Sequence, residues 1–452
     1  MLPKPTDLLL KQKVKLYSNI AKSGDCVGCL HAELQVYPSP RITWEFESLG
    51  DTACEPKKAR RKLENPLVGS WFSIEEPYVG RQSWGTVVGQ PRVSLGGAAR
   101  QAHYGDLDNR FHSFTFYLPN ARFQEKSLEG QKRVEKLIKV EGREGGRDAG
   151  RATEGWFITV SIDNTWNIRL ETRQEALTWL ASNQNNIGTL ITTVGRLYHP
   201  KDDESRPKEM TETPTLAMGE AQERLNVLSR LLSFANGGYL GPLFIKGARQ
   251  SETDLEFAAT VLAYETTPLE QLGTSWITMD SDLGTYMRCF TVLGRMLSTS
   301  PWDEVFNLIL IWYFQAIQPS SAQIRGKPWP VVANAVGAAL ERLSVTILVK
   351  ELNIRGLGSR ERIGRLLEQA GITKSQVYVD KFLDIRNDAT HPRPTTTMST
   401  RERNQVVNRA IQWTEEVLLW RLGYNGKYRN RLAKHYASTE PRYDLNTRDP
   451  SW

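Results

Sequence analysis

The spacing of apolar residues changes partway along this chain. Over about residues 10 to 200, short β-branched and aromatic runs lie between turn signals: Ile42 to Phe46, Phe114 to Leu118, Trp156 to Ile162 and Trp166 to Leu170. Such runs predict strands, and their number predicts an antiparallel sandwich or barrel. Farther on, the spacing becomes helical. Thr213-Pro214 reads as a cap and first-turn proline, opening a helix through Leu216, Leu225, Leu228 and Leu232 to a stop at Gly237-Gly238. Ser300-Pro301-Trp302-Asp303 reads as an N-cap, a proline at the first helical position and an acid in the first turn. Val305, Phe306, Leu308, Ile309, Trp312 and Ile317 follow at largely helical spacing. With Ile311 and Phe314 added, that helix is apolar over much of its girth, which predicts deep burial.

Four more helices follow. Residues 330 to 350 form a long apolar one containing Ala339, Leu340, Leu343 and Ile347, ended by Gly356 and Gly358. Ser359 caps a shorter one, Arg360 to Ala370, stopped by Gly371. Ser375 opens the next, and Ser399 or Thr400 opens the last, through Leu422 to Gly423. Capped helices in such close succession make an all-α bundle. The chain therefore reads as a multi-domain α+β protein. A β-rich, sandwich- or barrel-like N-terminal region spans 1–210, and a connecting α+β segment spans 211–297. The helical bundle occupies 298–422, and a basic, aromatic C-terminal tail 423–452.

Charge is uneven between these parts. Residues 1–300 hold 36 Lys+Arg against 36 Asp+Glu, whereas residues 301–452 hold 22 against 15, so the whole net charge of +7 belongs to the last third. A positive field attracts polyanions, of which nucleic acid is the commonest in a cytosol. The same third carries Arg386-Asn387-Asp388-Ala389-Thr390-His391, followed by Pro392, at the end of the fourth bundle helix. An arginine holds a phosphate through a planar fork of donors, and a histidine exchanges a proton near neutral pH. Positions 386 and 391 lie about 140° apart around a regular helix, but Pro392 pushes the preceding residue out of helical geometry, so His391 can turn back toward the arginine. Asn387 and His391, four apart, can share a face. A histidine in a helix's last turn also serves simply to cap carbonyls.

A bundle of this size, with two long leading helices, a short third, and an Arg-polar-x-x-x-His motif ending the fourth, resembles the HEPN domain of prokaryotic toxins, CRISPR effectors and phage-defence proteins. The run Leu231-Leu232-Ser233-Phe234-Ala235-Asn236-Gly237-Gly238-Tyr239 further resembles the ApeA-like group, in which a β-rich region precedes the bundle. The resemblance implies a metal-independent endoribonuclease with a composite site across a two-fold interface. It implies that Arg386 binds the scissile phosphate, that His391 serves as general base or acid, and that Asn387 orients one of them. Glu341, the one acid in the second helix's apolar run, would by the same resemblance contact Arg386; a solvated helix face accounts for it equally well. The implied partners are RNA (tRNA or mRNA), a second copy of the chain or a higher homo-oligomer, and a phage-derived or host protein trigger sensed by the N-terminal region. The alternative is a non-catalytic adaptor whose bundle dimerises or grips RNA.

In the tail, Lys427, Tyr428, Arg429, Arg431 and Lys434 interleave cations with rings, which suits single-stranded RNA; docking on the chain's own bundle would use the same residue types. Lys57, Lys58, Arg60, Arg61 and Lys62 form a second basic cluster, and the charged, glycine-containing stretch from Gln124 to Glu154 reads as an exposed excursion. Six of 13 tryptophans precede residue 200, where core packing is a better reading than a ligand platform. Cys26, Cys29, His31 and Cys54 offer four zinc ligands, but the paired cysteines sit in what reads as a strand without a matching second knuckle, so no metal is expected. No Walker loop, zincin helix or dinucleotide fingerprint occurs, and no cofactor is expected. Four cysteines, no secretory leader and no long apolar span lead us to expect a soluble cytoplasmic protein with no membrane association.

Overall fold

The computed structural model describes residues 13–23, 26–35, 41–48, 67–69, 72–75, 78–87, 90–99, 101–104, 108–121, 155–162, 165–173, 191–200, 214–250, 255–262, 266–268, 271–277, 283–318, 329–372, 376–390, 398–432 and 447–448. They combine strands and helices in two compact units. One comprises residues 1–122, 129–226 and 240–269; the other comprises 123–128, 227–239 and 270–452.

The first unit is built on strands. They are β1 (Lys13–Ser23), β2 (Cys26–Gln35), β3 (Arg41–Ser48), β4 (Leu67–Gly69), β5 (Phe72–Glu75), β6 (Tyr78–Val87), β7 (Gln90–Ala99), β8 (Gln101–Tyr104), β9 (Arg110–Phe111), β10 (Ser113–Pro119), β11 (Gly155–Ser161), β12 (Asn167–Arg173), β13 (Ile191–Tyr198), β14 (Leu216–Ala217), β15 (Phe244–Gln250) and β16 (Leu255–Leu262). Fourteen form one sheet in the order β11-β12-β13-β10-β15-β16-β8-β5-β4-β1-β2-β3-β7-β6, while β9 pairs with β14. Neighbours run antiparallel throughout, and among the described residues the sheet does not close on itself, so no barrel forms. All four runs singled out in the sequence lie in or across these strands. Their period of two is visible in β3, where Ile42, Trp44 and Phe46 are buried and Arg41, Glu45 and Glu47 are exposed. Trp44 and Trp166 are core residues at 1% and 2% exposure. Residues 244–262 fall in the expected connecting segment, but they add β15 and β16 to this sheet against β10 and β8.

The helix expected from Thr213 is α1 (Met218–Asn236), and it begins later than that. Leu216 instead pairs with Phe111 as a strand residue. Glu220 then supplies the start: its carboxylate accepts from the Ala217 amide at 2.9 Å and from Arg110 Nη2 at 3.1 Å. The stop is as expected, with Gly237 at φ 75.

The second unit is helical. After α2 (Leu283–Met287) and α3 (Phe290–Leu297) come α4 (Trp302–Ile317), α5 (Trp329–Ser344), α6 (Ser359–Gln369), α7 (Gln376–Thr390) and α8 (Thr400–Leu422); a π-helical turn, Val345–Glu351, prolongs α5. Ser399 caps α8 with Glu402 completing the box, and Gly423 ends it at φ 69. Two expected caps are corrected. Pro301, not Ser300, occupies the N-cap of α4 without a side-chain bond, and Gly358 occupies that of α6, where Glu361 reaches back to its amide. The second correction frees the Ser359 hydroxyl for another partner. α4 is less deeply buried than its composition predicts: Ile311 is 44% exposed, and Leu308 and Trp312 are half-buried. Trp329–Glu351 is long and apolar enough to cross a membrane, but 67% of its most apolar stretch is buried inside the protein, as suits the central helix of a bundle.

Burial also sets chemistry on α3's flank. Cys289, 3% exposed, has its thiol pushed up from 9.0 to about 12 by desolvation. The raised value means that the neutral thiol's stabilising contribution is full below pH 9.0 and is lost as pH rises through about 12. We expect site-resolved alkylation of Cys289 at pH 8 to be at least about tenfold slower in native protein than in urea; equal rates would contradict its burial.

Candidate active site

Glu341 lies on α5 and Arg386 on α7, and packing of these helices brings the two side chains together. Arg386 Nη2 donates to Glu341 Oε2 at 3.0 Å, with the side chains 30% and 26% exposed. The Ser359 hydroxyl, at the start of α6, donates to the other carboxylate oxygen. One carboxylate is thus gripped from two helices and in turn orients the guanidinium. Arg386 has five donors, and its partial exposure leaves room for an anion beside the ion pair. One turn from Glu341, Gly337 makes space for the arginine stem: a Cβ there would stand 3.0 Å from Arg386 Cγ.

A second contact fixes the end of α7. Thr390 Oγ1 lies 3.2 Å from Asn334 Oδ1 on α5 and 3.1 Å from the Arg386 carbonyl oxygen. Asn334, Gly337 and Glu341 therefore make one stripe along α5, facing Arg386 and Thr390. α7 stops at Thr390, immediately before His391; His391 lies outside the described residues. Asn387 is exposed. On the other side of α7, Arg360 is 3.0 Å from both Asp380 and Asp384, fastening α6 to the same helix.

The described tail residues pack within the helical unit, the alternative that the sequence left open, and Tyr428 is corrected as an RNA contact. Tyr428 is fully buried, with its hydroxyl donating to Glu416 at 2.8 Å. Arg429 donates through Nε to the Ser275 carbonyl at 2.8 Å. Arg431 donates to both Glu415 oxygens and, at 2.6 Å, to the Thr274 carbonyl. Glu415 also accepts from the buried Tyr313 hydroxyl. Desolvation, then the Glu415 charge, holds the Tyr313 phenol well above its ordinary value. Burial alone would depress the Arg431 guanidinium, but Glu415 outweighs it and raises it. Tyr428 has no surface left for RNA, and the hydrogen bonds of Arg429 and Arg431 give both arginines a structural role within the helical unit. Lys427 is exposed, and Lys434 lies outside the described residues.

Among the described residues, no group of three or more His, Cys, Asp or Glu could hold a metal. Cys26, Cys29 and His31 lie on β2, and Cys54 lies outside the described residues. The basic cluster Lys57, Lys58, Arg60, Arg61 and Lys62 and the excursion 124–154 also lie outside them. The Glu341–Arg386 contact was open in the sequence; Ser359, Gly337, Asn334 and Thr390 were missed. The polar Asn334 and Glu341, seven apart on an apolar helix, were the available signal.

In class, this is an α+β protein with a helical C-terminal region, in which a half-exposed arginine is held by a carboxylate at a helix end. One family's model matches: the YopA C-terminal domain, over residues 363–442, a stretch that includes Arg386, Asn387 and His391 but not Glu341. No curated protein and no solved structure matches the chain.

Gly337→Ala separates site geometry from stability. Alanine is about 1 kcal/mol better than glycine inside a helix, yet its methyl would press on the Arg386 stem. If Arg386 acts from this position, at least about tenfold loss of the function it serves should accompany a melting temperature within a few degrees of wild type; unchanged function would show that Arg386 need not sit there.

Proposed function

We propose that the chain is a metal-independent endoribonuclease of the HEPN type, acting in prokaryotic phage defence. The observation that carries this reading is Arg386, oriented by Glu341 and half-exposed, on the helix that ends immediately before His391. In this reading the guanidinium holds the scissile phosphate and stabilises its developing charge. His391 removes the proton from the ribose 2′-hydroxyl, whose oxygen attacks phosphorus, or protonates the departing 5′-oxygen; Asn387 orients it. The products are a 2′,3′-cyclic phosphate and a 5′-hydroxyl. Base and acid are both useful in this step and one chain's motif supplies one histidine, so the working form is a two-fold pair sharing a composite site. The β-rich region holds the activity to a slow basal rate until a phage-derived or host trigger relieves it, in a cytoplasmic setting and without a cofactor.

An RNA carrying a single 2′-deoxy nucleotide at a mapped cleavage position provides the test. That position should become uncut while neighbouring positions remain cut; cleavage at the deoxy position would exclude 2′-hydroxyl attack. The Glu341 ion pair also supports a second reading, since it accounts for Arg386 as a brace in a non-catalytic RNA-binding or dimerisation adaptor. In that case the folded wild type cuts no RNA, and Arg386→Ala lowers stability or dimerisation instead.

A further inference from the structure

α5 begins at Trp329, α7 ends at Thr390 and α8 begins at Thr400. These three termini meet at one end of the bundle. The Thr390–Asn334 contact ties the end of α7 to the first turns of α5. Arg403, in the first turn of α8, places its guanidinium 5.1 Å from the centroid of the Trp329 ring. Trp329 is itself half-buried, whereas Trp302 and Trp413 in the same unit are 1% and 2% exposed. Along α5, Trp329 stands eight residues before Gly337, against which Arg386 packs, which is about 12 Å of helix. A short single strand spans such a distance.

We propose that Trp329 and Arg403 form a platform for a nucleobase, holding an unpaired base near the phosphate bound at Arg386. This rests on the ribonuclease reading and adds a subsite for a base beside the scissile phosphate. An indole presents a flat π-face to any base, and a guanidinium over it offers a second planar surface. A base in a duplex cannot reach such a platform without leaving its partner, so paired RNA is disfavoured.

The test uses the full chain with His391→Ala, to prevent cutting, and a fluorescent single-stranded RNA 12-mer in EDTA. Trp329→Ala should weaken binding about 5- to 150-fold, the range for loss of one base stack, whereas Trp329→Phe should retain most of it. Arg403→Ala should weaken it and Arg403→Lys restore it only in part. A duplex of the same sequence should bind more weakly than the single strand and be indifferent to Trp329→Ala. If Trp329→Ala does not fold, the Phe and Arg403 variants carry the test. Undiminished single-strand binding by a folded Trp329→Ala or Arg403→Ala protein would overturn the platform while leaving the nuclease reading standing. Failure of the His391→Ala parent to bind RNA, with failure of the wild type to cut it, would overturn both.

Discussion

On the nuclease reading, Arg386→Ala should lower the rate of RNA cleavage by about 10²–10³-fold, the cost of removing one preorganised donor from a developing oxyanion, while barely changing the fold. The two expectations share one geometry. The guanidinium is 30% exposed, so its ion pair with Glu341 is partly screened and is worth at most about 1 kcal/mol to stability. Glu341 keeps the Ser359 hydroxyl as a donor when the arginine is gone. Arg386→Lys restores the charge but not the planar fork, and should recover only part of the rate. Single-turnover cleavage of end-labelled RNA, beside thermal denaturation of the same preparations, checks both. A large stability loss with cleavage intact would make Arg386 a brace.

Arg431→Ala should have the opposite profile, destabilising the helical unit by about 3–5 kcal/mol. Glu415 is fully buried and Arg431 is 10% exposed, so truncating the arginine strands a carboxylate away from water. The Thr274 carbonyl loses its donor in the same change. Glu415→Ala should cost a similar amount, whereas replacing both by methionine should cost much less, because no buried charge remains unpaired. Urea denaturation of the three variants measures this. Had the tail been an RNA-binding arm, Arg431→Ala would instead weaken RNA binding with stability unchanged, and that result would contradict the buried network.

The bundle's helices were legible because capping and periodicity are local. Ser399 with Glu402, and Gly423 at the other end, fix α8 through contacts within a few residues. The strands were legible as elements through the alternation seen in β3. Their assembly was not, because β15 joins β10 across more than a hundred residues and pairing partners leave no local mark. The site was half legible. Arg386 and Glu341 stood out as charges at a helix end and in an apolar run, but their contact depends on the register between α5 and α7. Ser359 was misread for a related reason: a serine beside a helix start reads as a cap, and only the tertiary neighbour Glu341 shows otherwise. The tail was ambiguous because Tyr, Arg and Lys serve equally for stacking on RNA and for closing a protein's own polar core. Burial separates the two uses, and burial is not local.

The most direct test of the nuclease reading is incubation of end-labelled tRNA and mRNA with excess full-length protein in EDTA, as wild type and as His391→Ala. The account predicts cutting by the wild type, cyclic-phosphate ends, and loss of cutting in the folded variant. No cutting by the folded wild type, or cutting that persists without His391, would contradict it.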